Sequence, residues 1–458
     1  MKIVFFIILK VSIAVMITVG NTNAQNTINL LRYNDNFSHV KDDSLKIGFD
    51  RLKYAKIGEK TFFSIGGEVR EQFQLFNNIN FGDLPPKFSS IKTHQLNHRM
   101  MIHANIDLGK HFRFFTQMNS TLQFMNVNPP APEIDVNHLS LHQAFSEFKF
   151  DKWRIRIGRQ ELIYGNHRIL TVREGPNTRQ AFDGLVVKNV FKHGTIDFLA
   201  ISKAISKRSV FDDEHLKEEM FGFYGNVMFS ENIIGLDFYG LNFQSEQRKY
   251  IHQAGSENRQ TFGFRLFSNL KRINFEIEGA YQSGKFNALT IDAYSAFVDL
   301  NVVVVPEKKG VIGFAANIAS GDKDSYDKKL NTYNLLYAKP AFGLAIPIGS
   351  TNIISLYPYL KINPIPKLNV LAQVFFLSRN NVQDGLYSPL MTMVRPPSET
   401  TSTMKSLGTF LVLETTYQQS KNISFSFDAS YFKSGGSLKA TGKGKDLSYL
   451  SFKSTFKF

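Results

Sequence analysis

Apolar and polar residues alternate with a period of two along much of this chain. In Trp153-Arg154-Ile155-Arg156-Ile157, an extended strand puts the tryptophan and both isoleucines on one face and both arginines on the other. The same alternation runs through 99–108, 273–281 and 450–458. The pattern predicts a protein built from strands. In a soluble sandwich such arginines meet bulk water, whereas in a membrane barrel they line a pore.

The links between the predicted strands alternate between short and long, which is typical of periplasmic turns and extracellular loops. The long polar links fall near 77–96, 123–141, 163–180, 203–220, 244–260 and 379–406. Nineteen segments resemble strands, but 341–349 breaks the alternation and is flanked by Pro340 and Pro347. Assigning it to the long loop after residue 319 leaves eighteen strands. We therefore predict an all-β fold, a transmembrane antiparallel β-barrel of about 18 strands with long extracellular loops, over residues 61–458.

The ends of the chain support an exported barrel. Residues 1–24 have the lysine, apolar run and small Thr22-Asn23-Ala24 site of a signal peptide. Residues 25–60 are polar and charged, and we expect a periplasmic N-terminal extension, with a lumen plug as the alternative. The last strand ends on Phe458, which resembles the terminal signal of outer-membrane barrels. The expected location is the outer membrane of a Gram-negative bacterium, in contact with lipid and lipopolysaccharide.

Composition agrees with this class and narrows the function. The chain has 43 Phe, 17 Tyr and no Cys, yet its mean hydropathy is −0.18, as expected where lipid-facing and lumen-facing residues cancel. Several sandwich domains are the alternative, but no Pro/Gly/Ser-rich linker divides the chain. Of 54 basic side chains two lie in the signal segment, which leaves 52 against 39 acidic ones. An exported protein is not expected to bind nucleic acid, so this excess indicates an anionic solute.

Catalytic and metal-binding patterns are missing from the sequence. It contains no GxSxG, HExxH or P-loop motif, and its 11 histidines are not spaced as metal ligands. The acidic segment 322–327 contains lysine and is expected to be a solvated loop, with a Ca²⁺ site as the less favoured reading. We expect neither an enzyme nor a cofactor.

The alternation assigns several arginines to the lumen: Arg70, Arg99, Arg154, Arg156 and Arg265. An arginine facing lipid at mid-depth costs about 2–4 kcal/mol, so arginines on spanning strands favour the lumen. There they would concentrate anions and bind carboxylates. The alternative is that they brace the barrel by pairing with lumen carboxylates such as Glu68, Glu147, Glu276 and Glu278.

The alternation breaks after Ile157. If the pleat continued, Arg159 and Glu161 would face lipid. A bulge near Gly158 would turn both side chains inward. The alternative is that the strand ends there and Arg159 begins the loop.

Several motifs resemble the alginate export family of outer-membrane barrels. They are 156–165 (RIGRQELIYG), 173–184 (REGPNTRQAFDG), 141–145 (LHQAF), 66–71 (GGEVRE), 320–324 (SGDKD), 384–387 (DGLY) and 441–446 (TGKGKD). The resemblance implies a monomeric barrel of eighteen strands that passes an anionic polysaccharide, an alginate-like polyuronate. It adds Arg173, Arg179 and Asp183 to the expected substrate-binding residues, and periplasmic secretion or uptake components to the expected partners. A general anion-preferring porin and a surface adhesion barrel are the alternatives.

Overall fold

The computed structural model describes residues 28–38, 46, 48–83, 92–124, 135–211, 213–229, 233–251, 253–324, 326–397 and 403–458. The predicted signal peptide lies outside these residues. Among the described residues, no helix has the length and apolarity needed to cross a membrane. The described helices are a five-residue α-helix at Gly436–Ala440 and short 3-10 turns.

Eighteen strands form one antiparallel sheet that closes on itself. The first strand pairs with the second and also with the last, for example Arg70 with Arg99 and Arg70 with Thr455. The strands are β1 (Thr61–Asn77), β2 (Lys92–Leu108), β3 (Phe112–Phe124), β4 (Asn137–Phe150), β5 (Trp153–Gln160), β6 (Ala181–Phe191), β7 (Gly194–Ile205), β8 (Glu214–Phe229), β9 (Ile234–Tyr250), β10 (Gln253–Ser268), β11 (Ile273–Phe286), β12 (Leu289–Val305), β13 (Gly310–Ala319), β14 (Ile353–Ile362), β15 (Leu368–Arg379), β16 (Ser406–Gln418), β17 (Ile423–Ser434) and β18 (Leu447–Lys457). The predicted fold class and strand number are confirmed.

Four further strands have only two or three residues each. Ala55–Lys56 extends the sheet beside the start of β1, and Lys329–Leu330 pairs in parallel with the start of β12. Leu386–Tyr387 and Met393–Arg395 form a separate two-stranded sheet in the loop after β15. None of these short strands changes the closure of the barrel.

The outer wall carries the apolar side chains of the alternation. On β5, Trp153 and Ile157 are 44% and 52% exposed, whereas Arg156 and Gln160 point inward. The same outward apolar set continues on β12 with Leu300 and on β18 with Phe452. Because lipid covers this surface in an outer-membrane barrel, its exposure to the surroundings is favourable.

The connections follow the predicted short and long alternation with two exceptions, because only residues 251–252 join β9 to β10 and only residues 287–288 join β11 to β12. Residues 341–349 lie in the loop between β13 and β14, as predicted. The predicted long link at 244–260 is wrong, because β9 continues to Tyr250 and β10 begins at Gln253. Polar residues there extend the paired strands beyond the wall, where both faces meet water and alternation gives no signal.

Loops fill much of the barrel interior. Residues 161–180, here the first inner loop, and 320–352, the second inner loop, carry a long series of buried residues. Tyr337 of the second inner loop packs on Phe182 and Phe243 of the wall, and Phe342 packs on Phe375. The apolar core therefore lies between the inner loops and the wall, inside the barrel.

Candidate functional site

The two inner loops join each other across the lumen. The backbone N–H of Tyr337 donates to the carbonyl of Ile169 at 3.0 Å, and that of Lys339 donates to His167 at 2.9 Å. Leu170 and Tyr337 also form an isolated parallel bridge. This pairing turns two loops that are far apart in sequence into one partition inside the barrel.

Three arginines fix the first inner loop to the wall. Arg70 and Arg99 stand opposite each other on β1 and β2, and both are almost fully buried. Arg70 donates to the carbonyls of Glu174 and Pro176 at 3.0 and 3.1 Å, and Arg99 donates to the Glu174 carboxylate at 2.5 Å. Arg179, on the loop itself, also donates to that carboxylate. The predicted lumen placement of Arg70 and Arg99 thus serves loop anchoring.

Three glutamates neutralise these arginines. Glu68 accepts from Arg99 at 3.0 and 2.5 Å and from Arg179 at 3.4 Å, and Glu161 lies 3.5 Å from Arg179. Burial alone would raise the pKa of Glu174, but Arg179, Arg99 and Arg70 together hold it well below its usual value. We call Arg70, Arg99, Arg179, Glu68, Glu161 and Glu174 the arginine clamp. Its three positive and three negative charges cancel.

The N-terminal segment contacts the clamp from below. Arg32 donates to the carbonyls of Gly67 and Phe458, each at 2.8 Å, and the carbonyl of Leu30 accepts from Arg179 at 3.4 Å. The hydroxyl of Tyr33 donates to the carbonyl of Glu161 at 2.7 Å. Residues 30–33, within the predicted 25–60 extension, therefore lie inside the periplasmic half of the lumen.

Two other predicted lumen arginines also pair with carboxylates. Arg156 donates to Glu147 at 2.6 and 3.0 Å, and its guanidinium lies 4.1 Å from the centre of the Tyr33 ring. Arg265 bridges Asp237 and Glu276, each at 2.9 Å. These contacts are the bracing pairs that the sequence left as an alternative.

Arg154 differs from both. It is the second residue of β5, near the periplasmic turn, and is exposed. Its side chain makes no hydrogen bond or ion pair with any residue that the structure describes. Its position is at the periplasmic mouth and distant from the inner loops.

Arg159 and Asp183 lie on the outer face of the wall, and their predicted lumen placement is wrong. Register continues through Gly158 against both neighbouring strands, so Arg159 keeps the outward orientation of Ile157. There it pairs with Asp183 at 2.9 Å and with Asp213 at 2.8 Å. Because the carboxylates neutralise the guanidinium at the rim of the barrel, the outward position is tolerated.

The bulge occurs one strand earlier than predicted. On β4, Gln143 faces Gln117 while Leu141 faces Met118, so His142 is the extra residue. The bulge buries His142, and its Nε2 lies 2.9 Å from Glu161. Glu161 is thus inside the barrel as predicted, but the turn that places it follows the end of β5.

Three cavities follow one another through the interior and share lining residues. A lumen cavity of about 570 Å³ lies against β11 to β16, and a vestibule of about 300 Å³ lies against the upper end of β7. Between them is a passage of about 230 Å³, which shares His167 and Lys339 with the lumen cavity and Arg173 and Leu344 with the vestibule. We call this passage the constriction. A Cβ atom at Gly175 would lie 3.2 Å from Leu344, so the two inner loops nearly touch there.

Arg173 is held at the constriction by backbone carbonyls. Its Nε donates to Ala338 at 2.7 Å and its Nη2 to Pro389 at 2.9 Å, and no described carboxylate contacts it. Burial lowers the pKa of Arg173 to about 10, so the guanidinium remains charged at neutral pH. Its φ of 52° lies in the left-handed region, which costs about 1–2 kcal/mol for a residue other than glycine. Such strain is typical of functional positions.

Lys339 supplies a second cation that sequence reasoning missed. Its side chain is exposed to the lumen, and its Nζ contacts no carboxylate among the described residues. Two effects lower the pKa of Lys339: the loss of water around its ammonium group, which is the larger, and the positive charge of Arg168. Burial of the imidazole is the larger cause that lowers the pKa of His167, and the positive charge of Lys339 is the second. His167 is therefore neutral at pH 7. No sequence signal could have found these loop residues, because side-chain direction in a loop follows no period.

Asp384 joins two of the motifs quoted above. Its carboxylate accepts from the N–H of Asp322 at 2.8 Å, from Thr332 at 2.7 Å and from Tyr387 at 2.8 Å. The loop 380–405 is thereby attached to the second inner loop. Burial raises the pKa of Asp384. Burial, together with the negative charge of Asp384, raises the pKa of Asp322 to about 7. Among the described residues no group of carboxylates and histidines has the arrangement of a metal site.

Comparison with known proteins identifies a family and a fold. A sequence profile of alginate export proteins matches residues 62–449. No curated protein matches the sequence. The outer membrane protein OpdK of Pseudomonas aeruginosa superposes with a TM-score of 0.60 at 8% identity, covering 86% of this chain and 98% of that chain. OccK2 (OpdF) of the same organism, solved in complex with glucuronate, gives 0.59 at 9% identity, covering 86% and 98%. Identities this low show a shared porin fold alone.

Proposed function

Because this chain belongs to the alginate export family, we propose that it is a channel that passes an anionic polysaccharide or its oligomers through the constriction. Its fold and family are those of transport channels of the Gram-negative outer membrane. Passage is by diffusion and uses no cofactor. The interior residues Arg173 and Lys339 give the channel its preference for anions.

The observation that carries the proposal is the position of uncompensated charge. The arginine clamp is neutral, and Arg156 and Arg265 are paired with carboxylates. Arg173 and Lys339 have no carboxylate partner among the described residues and line the cavity of about 230 Å³ between the lumen cavity and the vestibule. Low-dielectric walls concentrate the potential of a charge, so two cations at a constriction raise the local concentration of anions. Each uronate ring carries one carboxylate that such cations attract.

A second candidate is a porin for small anionic nutrients. The lumen cavity below the constriction is lined by four acids, Glu276, Glu278, Asp299 and Glu414, against Arg168 and Lys361 besides Lys339. A polyanion that extends through both regions meets repulsion there, whereas a short anion needs only the constriction. Anion selectivity at one level of the channel therefore favours short solutes.

Conductance of the purified protein in a planar bilayer tests the proposal. In a KCl gradient the wild-type channel should prefer chloride, and polyuronate should block it. Replacing Arg173 and Lys339 together by glutamine should lower the anion-to-cation permeability ratio roughly 3- to 10-fold, because each charge acts at short range in a narrow, poorly screened space. Arg159→Gln, on the outer wall, is the matched control. A cation-selective wild-type channel that polyuronate does not block would overturn the proposal.

Uronate oligomers of increasing length separate the two candidates. Polysaccharide transport predicts block and permeation by long oligomers. Permeation by the monomer alone, without residence of longer chains, would favour the porin for small nutrients.

A further inference from the structure

The vestibule above the constriction has the features of a ligand site. Its cavity of about 300 Å³ lies between the first inner loop, the upper end of β7, the second inner loop and the loop 380–405. This volume is at the lower end of the roughly 300–1,000 Å³ typical of small-molecule pockets. It suits one ring better than a chain. We call it the vestibule pocket.

Apolar side chains form most of its wall. Leu344, Ile346, Pro389 and Leu390 come from the second inner loop and the loop 380–405. Leu390 is 39% exposed although its neighbours Ile346 and Met391 are buried. Rigid aliphatic and proline surfaces are suited to contact the C–H face of a ring, since burying them against a ring removes apolar area from water.

Two cations face the same pocket. Arg173 has Nε and Nη2 committed to carbonyls, and its Nη1 hydrogen-bonds to none of the residues described. The side chain of Lys203, near the end of β7, has no hydrogen bond or ion pair within the described chain, and its Nζ lies 6.0 Å from the centre of the Tyr337 ring. Glu218 is the carboxylate whose charge acts on Lys203, and it already forms an ion pair with Arg248 at 3.0 Å. The pocket therefore has positive charge that a ligand carboxylate would neutralise.

Gln180 supplies a third, independent feature. This residue is only 6% exposed and lines the pocket. Its Nε2 donates to the carbonyls of Thr171 and Tyr337 at 2.8 and 3.3 Å, which fixes the orientation of the amide. Its Oε1 is buried and accepts no hydrogen bond from the described residues. An acceptor left without a donor costs free energy, and a ligand hydroxyl would satisfy it.

We infer that the vestibule pocket binds a single hydroxylated ring that carries one carboxylate. Arg173 and Lys203 receive the carboxylate, Gln180 accepts a hydroxyl, and the face formed by Leu344 and Pro389 contacts the ring. A monomeric sugar acid and a phenolic acid share this chemistry. The site is on the extracellular side of the constriction, so it captures acids from the medium. The inference rests on the proposed function, because the bound acid would pass next to the constriction.

Calorimetric titration of the full chain in detergent tests the site directly. The ligands are glucuronate and 4-hydroxybenzoate, with glucose as the probe without a carboxylate and benzoate as the probe without a hydroxyl. At least one hydroxy acid should bind with one-to-one stoichiometry. Glucose should not bind, and benzoate should bind more weakly. The preferred acid identifies the source of the ligand.

Variants locate the site. Lys203→Gln should weaken binding of the hydroxy acid roughly tenfold, the usual effect of losing one charge-assisted hydrogen bond. Lys361→Gln removes an exposed lysine that lines the lumen cavity instead, and should leave binding unchanged. Leu390→Ala provides a second variant of the pocket should Lys203→Gln fail to fold. Equal affinity for glucose, no binding by either acid, or unchanged affinity in both pocket variants would overturn the inference.

The outcome is separable from that of the proposed function. The titration and the conductance measurement are both made on the wild-type protein, so each result stands by itself. A channel that prefers anions but binds no hydroxy acid would refute the site and leave the channel function intact. Binding of a hydroxy acid by a cation-selective channel would support the site and refute the proposed channel function.

Discussion

The arginine clamp and the constriction lie next to each other on the same inner loop, yet they have opposite electrostatic character. Arg99 and Arg179 are buried among Glu68, Glu161 and Glu174. Six residues along the chain from Arg179, Arg173 meets only carbonyl oxygens. The number of lumen arginines therefore says little about anion binding. What matters is which guanidinium groups remain without a carboxylate.

The comparison also assigns different roles to the motif 173–184. Glu174 and Arg179 attach the loop to the wall, and Arg173 places a charge in the passage. Breaking a buried ion pair leaves a charge without compensation and is strongly destabilising. Removing an uncompensated cation changes the potential of the passage and has less effect on stability.

Arg99→Met should have the largest effect on folding. It removes the shortest ion pair of the buried Glu68 and one of the three arginine partners of Glu174, so we expect the free energy of unfolding to fall by about 3 kcal/mol. Guanidinium unfolding in detergent, followed by tyrosine fluorescence, measures this change. Arg173→Met is the matched comparison and should lose less, because it leaves two backbone carbonyls without a donor but leaves no carboxylate without an arginine partner. Equal losses would contradict the distinction between clamp and constriction.

The stability of the arginine clamp and that of the Asp322–Asp384 contact should depend on pH in opposite directions. The pKa of Glu174 is depressed, so its contribution to stability is present above about pH 4.5 and is lost only as pH falls well below that value. The pKa of Asp322 is raised to about 7, so the native state binds the extra proton between about pH 3.8 and 7. Its contribution to stability should therefore be lost as pH rises from about 3.8 to 7, by at most about 4 kcal/mol in all at 1.36 kcal/mol per pKa unit.

Hydrogen exchange checks this pH dependence. The backbone amides of Asn331 and Gly385 should be better protected at pH 6 than at pH 8 after correction for intrinsic exchange. Asp384→Asn should abolish most of the difference, since it removes the neighbouring charge. Protection that rises with pH would refute the assignment.

Arg159→Gln should have the smallest effect. Its ion pairs with Asp183 and Asp213 lie at the outer rim and are partly exposed, where such pairs contribute about 0–1 kcal/mol. Unfolding free energy and chloride preference should both stay close to wild type. A clear drop in chloride preference would mean that this guanidinium influences the passage after all.

Much of the barrel was predictable, because each strand carries its own signal. Trp153 to Gln160 continues the alternation that predicted its two faces, and the short and long rhythm of the links gave the strand number. The prediction was wrong at the 244–260 hairpin and at Arg159. In both places the strand leaves the lipid-covered wall or reaches its rim. There polar side chains are tolerated on either face and alternation loses its meaning.

The sequence by itself determined the period-two pattern and the set of basic side chains from which the lumen is built. Only the tertiary structure decided which of these charges are cancelled. The Glu174 carbonyl that holds Arg70 is 104 residues away in sequence, and the carbonyls that hold Arg173 are 165 and 216 residues away. Coulomb energy depends on distance in space. Loops without a period bring these partners together, so the fold alone separates a neutral clamp from a charged passage.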